Sequence, residues 1–123
     1  MTWLLAALGG GVGALLRFVL SGVEARVFAG RERPNDARGT LISNLVACFV
    51  VGLAIGGLAA PDAEAWRALM IVGFCGGLST YSSFALELWD MIGERRWARV
   101  VGISALNIVC GTLLLWAGYA LIA

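Results

Sequence analysis

Histidine and lysine are absent from this 123-residue chain, and only 14% of its residues are charged. The missing histidine removes the commonest metal ligand and the commonest general base. The three cysteines, Cys48, Cys75 and Cys110, lie in separate apolar stretches without CxxC spacing. They are expected to be small packing residues rather than a zinc site. A net charge of +1 gives no reason to expect a nucleic-acid partner. No pair of carboxylates falls inside one apolar stretch away from its ends, and no nucleophile–base constellation is visible, so a membrane enzyme is not expected.

What the chain has in quantity is apolar surface: 60% of residues are hydrophobic and the mean hydropathy is +0.87. A soluble domain of this length needs more polar surface. A helix crosses the roughly 30 Å bilayer core in about 20 residues, so the chain has room for four spans and little else. The apolar stretches run over about 2–20, 39–59, 66–92 and 98–121. The first has no basic leader region and is read as a span, not a cleaved signal. Pro34-Asn35 and Pro61-Asp62 punctuate the connections. Trp3, Trp66, Trp89, Trp97, Trp116 and Tyr119 fall mainly near span ends, as interfacial aromatic anchors do. The expected fold is an all-α membrane protein of four transmembrane helices, as a single unit.

The arginines are unevenly placed. Arg17, Arg26, Arg31, Arg33, Arg38, Arg95, Arg96 and Arg99 belong to one side, and Arg67 alone to the other. The positive-inside rule then puts the loops after spans one and three in the cytoplasm and both termini outside. Such a bias predicts insertion in one orientation.

Several residues stand out for their position. Gly9 and Gly13 form a GxxxG pair, repeated at Gly52 and Gly56, which predicts close helix packing, here expected within a dimer. Arg17 sits about one turn from the end of its span, where it either snorkels to the interface or makes a structural pairing. Asn44 lies one turn after Thr40 on the same helix face. Its amide either bonds a neighbouring helix or donates to a permeant anion, and Asn107 has the same two readings. Glu87 is expected to form a structural ion pair with an arginine, or to line an anion vestibule.

The third span carries Gly73-Phe74-Cys75-Gly76-Gly77-Leu78-Ser79-Thr80-Tyr81-Ser82-Ser83-Phe84. Its glycines weaken the helix, and its hydroxyls can bond freed backbone groups. A break near the middle of this span is expected, and such backbone is tolerated only inside protein or along a cavity. Carbonyls exposed at a helix break can hold a cation such as Na⁺. Tyr81 and Phe84 share a helix face, and the positive edge of an aromatic ring can solvate a small dehydrated anion. A simple kink with packed aromatics is the other reading of the same residues.

The pattern GGGVGALLR ending at Arg17, the stretch Gly39-Thr40-Leu41-Ile42-Ser43-Asn44, and above all GFCGGLSTYSSF resemble the Fluc (CrcB) family of fluoride channels. That last stretch is similar to the family's GFCGGLTTFSTF, and the likeness covers all four spans. The resemblance implies an antiparallel dimer in the bacterial plasma membrane, with two narrow pores at the interface and passive export of F⁻. It implies a structural, untransported Na⁺ held by the main-chain carbonyls of Gly76 and Ser79. It places the family's phenylalanine box on Tyr81 and Phe84, its pore asparagine on Asn44, its hydroxyl track on Ser82 and Ser83, and a fourth-span polar position on Asn107.

The sequence departs from that pattern at Tyr81, where the family has phenylalanine, and at Ser79, where it has threonine. Ile103 and Gly111, one turn either side of Asn107, lack the polar groups many relatives carry. The arginine bias fits half of a pair of oppositely oriented relatives better than a homodimer. Two rivals follow: a small four-helix multidrug-type transporter, which needs a mid-membrane carboxylate, and a non-conducting partner subunit.

Overall fold

The computed structural model describes residues 1–27, 38–79 and 81–123. The expected turn at Pro34-Asn35, the loop arginines Arg31 and Arg33, and the Thr80 hydroxyl lie outside the described residues.

Helix, with no strand among the described residues, is what the bilayer demands, because each backbone group must be satisfied within its own segment. Four stretches are long and apolar enough to cross a membrane. The first helix runs from Thr2 to Val27 and the second from Arg38 to Gly57. The first therefore continues past Leu20, since leaving the apolar zone does not end a helix whose next residues still favour one. A 3₁₀ turn at Pro61–Ala63 leads into the third span. This span is α-helical over Glu64–Arg67, widens into π-helical turns over Ala68–Cys75, and closes with one α-turn at Gly76–Leu78. Ser79 then leaves the helix, with φ −86° and ψ 144°. Helix resumes over Tyr81–Gly93, and the fourth span is Trp97–Ile122.

The spans pack in two pairs, first against third and second against fourth. Glycine decides both. A methyl group added at Gly9 or Gly13 would run into the backbone of Leu69 or Phe74. Reciprocally, one added at Gly73 would stand 2.6 Å from the Ala6 carbonyl oxygen, and one at Gly77 would strike that of Gly10. Gly52 meets the Leu115 backbone in the same way, and Gly118 that of Phe49. The close packing expected of the GxxxG pairs is thus made inside the subunit. Backbones this close gain dispersion contacts that bulkier residues would forbid.

Two buried clusters complete the core. Ala47, Cys75 and Leu78 pack with Leu16, Leu20 and Phe74, joining spans one, two and three. Met91 and Ile103 pack with Phe84 and Leu88, joining the second half of span three to span four. The outer faces stay apolar and exposed, as at Trp3, Phe18 and Trp116, which suits lipid. At the end of the second helix, Arg67 Nε donates to the Leu58 carbonyl at 2.7 Å, capping that terminus with a positive charge.

Candidate pore groove

The break after Leu78 opens the middle of the molecule. A helix that stops leaves its last carbonyls without the donor one turn further on, and the Cys75 carbonyl is closed off by Ser79 N–H at 2.9 Å. Beside this break lies an open groove of about 770 Å³ between spans two, three and four. Asn44, Gly76, Ser79, Tyr81, Phe84 and Asn107 all line it. Residues 63 positions apart in sequence, Asn44 and Asn107, thus face one space. The remaining walls are mostly apolar and no acidic side chain contributes to them. Amides and ring edges in apolar surroundings offer positive partial charge with little competing water, an environment that favours a small anion.

The other candidates fall elsewhere. Ser82 and Ser83 do not line the groove; Ser82 is exposed and Ser83 half-buried on the resumed helix. Arg17 is half-buried on the first span, away from the groove. Thr40 and Asn44 diverge in use although they stack on one helix face. Asn44 reaches the groove, whereas the buried Thr40 hydroxyl donates to Glu87 Oε1 at 2.6 Å. Glu87 therefore takes a hydroxyl partner among the described residues, not the arginine that its position near a helix end suggests. Its other oxygen, Oε2, is buried with no hydrogen-bond partner.

One wall residue was not singled out by pattern. Thr112 lines the groove and donates its hydroxyl to the Ile108 carbonyl at 2.7 Å. A hydroxyl one turn from a helix carbonyl commonly does this, so sequence alone gives no sign that its oxygen faces a cavity. Gly111, also in the wall, has a steric reason: a methyl there would stand 3.2 Å from Cys48 Sγ. Ile103, by contrast, is in the core against Met91 and plays no part in the groove.

A multi-pass membrane protein with a broken third span, and a groove of amides and aromatic rings beside the break, is the class these features define. Residues 4–119 match the family described as CrcB-like protein, Camphor Resistance (CrcB). "Fluoride-specific ion channel FluC 1" of Geobacillus kaustophilus is 37% identical over 94% of this chain and 93% of its own. "Fluoride-specific ion channel FluC" of Pseudomonas aeruginosa is 42% identical over 89% of this chain and 83% of its own. The protein of the same name from Pseudomonas syringae pv. maculicola is 37% identical over 94% and 88%. The chain belongs to the CrcB family.

Proposed function

We propose that this chain is one subunit of an antiparallel dimeric fluoride channel in the bacterial plasma membrane. It gives F⁻ a passive route out of the cytoplasm and so lowers fluoride toxicity. The observation that carries the reading is the convergence of Asn44, Asn107, Tyr81 and Phe84 on one groove beside the helix break. The two amides donate hydrogen bonds to the anion, and the ring edges of Tyr81 and Phe84 replace part of its lost hydration. Selectivity follows from donors that match a small anion in a narrow passage. Ser82 and Ser83 serve as a hydroxyl track only if a partner subunit completes a wall around them.

A structural Na⁺ fits the residues present. Gly76 and Ser79 share the groove, and a methyl group at Gly76 would meet nothing within 4 Å, so the backbone is open on that side. Main-chain carbonyls are hard oxygen donors, and without a carboxylate nearby they suit a monovalent cation better than a divalent one. Two carbonyls are half a shell or less, so the Gly76 and Ser79 pair of an antiparallel partner would supply the rest. When bound, the ion would contribute fixed positive charge and pin the two breaks together.

The partner is either a second copy or an oppositely oriented relative. The eight-to-one arginine bias favours the relative. A multidrug-type transporter is disfavoured, because Glu87 is bonded to Thr40 and does not line the groove. The reading is tested by fluoride-electrode recording of efflux from liposomes, with the chain alone and with a partner of opposite charge bias, against chloride-loaded controls. Selective F⁻ efflux in either preparation is expected. Folded protein that moves no F⁻ in both preparations would overturn the reading.

A further inference from the structure

The groove contains two thiols that neither anion passage nor a sodium site uses. Cys48 on the second span and Cys75 on the third both line it. Cys75 packs against Ala47, the residue next to Cys48, and is only 3% exposed. Both cysteines are unbridged. The third, Cys110, lies on the fourth span and does not line the groove.

We propose that Cys48 and Cys75 form a two-thiol binding site for a soft, two-coordinate divalent cation, for which Hg²⁺ is the probe. Thiolate sulfur selects soft cations over hard ones. Four-coordinate zinc is disfavoured, because the described residues contain no group of three or more His, Cys, Asp or Glu able to hold a metal. With HgCl₂ as the source, two S–H and two Hg–Cl bonds break and two S–Hg bonds form, and two protons and two chloride ions leave to water, with no change of oxidation state. Two thiolates and one Hg²⁺ sum to zero charge. That neutrality matters in walls that are mostly apolar, where an uncompensated charge is costly. A monovalent soft ion between the same two thiolates would leave a net negative charge and is the poorer occupant. Cys48 lines the open groove, with its Sγ set close against Gly111 of the fourth span, so the ion's approach is from the groove.

The test uses purified chain carrying Cys110→Ala, treated with HgCl₂ and washed with an excess of a monothiol. Elemental analysis then counts retained mercury, a readout that does not depend on fluoride transport. One Hg per chain is expected, with both remaining thiols lost to maleimide labelling. Removing either partner, in Cys48→Ala/Cys110→Ala or Cys75→Ala/Cys110→Ala, should lower retained mercury at least ten-fold, because a singly held ion exchanges onto the wash thiol. Cys48→Ser in place of Cys48→Ala guards against a packing defect, and each variant is checked by gel filtration. Zero or two Hg per chain in the Cys110→Ala protein overturns the proposal without recourse to the other variants. Equal retention by the single-thiol variants also overturns it.

Discussion

Thr40 and Glu87 are joined by a hydroxyl-to-carboxylate hydrogen bond of 2.6 Å across 47 residues of sequence. The bond ties the start of the second span to the resumed half of the third. Replacing Thr40 with valine leaves a part-buried carboxylate without this donor, while Oε2 is already unpartnered. A loss of about 1–3 kcal/mol is expected for Thr40→Val. In Glu87→Gln an amide oxygen can still accept the bond, so the loss is smaller. Thermal unfolding in detergent of the two single variants and the double variant would read the coupling. Strict additivity would show that the bond contributes nothing.

Close glycine packing predicts a contrast between two glycines two positions apart. Gly13 faces the Phe74 and Leu78 backbone, whereas an added methyl at Gly11 meets nothing within 4 Å. Gly13→Ala must push the first and third spans apart, at a cost of about 1–3 kcal/mol or more. Gly11→Ala should be neutral or slightly stabilising through helix propensity. Melting temperatures in one detergent compare them directly, and equal values would contradict the packing described.

The turn between spans three and four holds Arg95 at φ 56°, a left-handed conformation. Arg95 N–H bonds the Ile92 carbonyl at 3.0 Å and Arg96 N–H that of Met91 at 2.9 Å, the two bonds of a Schellman cap. Glycine adopts this backbone without a Cβ penalty. Arg95→Gly is therefore expected to stabilise by up to about 1 kcal/mol. Arg96→Gly should give no such gain, since Arg96 has a negative φ of −89° and pairs with Glu94 at 3.4 Å. A scan of unfolding temperature that ranked them the other way would refute the assignment.

The arginine bias predicts one orientation. A cysteine placed at exposed Ala60 in the loop between spans two and three should be labelled to completion on intact cells by an impermeant maleimide. Wild-type chain, with its cysteines inside spans, is the blank. Labelling of half the molecules would mean insertion both ways and would favour a homodimer.

Tyr81 stands in the groove wall yet is 84% exposed in the single subunit, so its hydroxyl is not held by core packing. If the ring edge is what serves the anion, Tyr81→Phe should keep fluoride flux within a few-fold. A loss beyond ten-fold would assign the role to the hydroxyl.

Much of this was legible in the chain itself. The four spans follow from apolar runs of bilayer length, and the break from Gly76, Gly77 and Ser79 in succession. The pairing of spans was not legible. GxxxG announces a close approach but not its partner, and Gly9 found the Leu69 and Gly73 backbone, and Gly13 that of Phe74 and Leu78, in the same subunit. The continuation of the first helix past Leu20 through Val27 was hidden because hydropathy marks where the membrane ends, not where the helix does. The Thr40–Glu87 bond and the groove-facing Thr112 depend on tertiary geometry that local pattern does not encode.

The central claim is that the groove shared by Asn44 and Asn107 is the anion's path. The most direct measurement is fluoride efflux from liposomes by Asn44→Ala and Asn107→Ala chains beside wild type, in whichever preparation conducts and at matched protein content. A fall of at least ten-fold in both variants, with folding unchanged, is the predicted result. Wild-type flux in both would contradict the account.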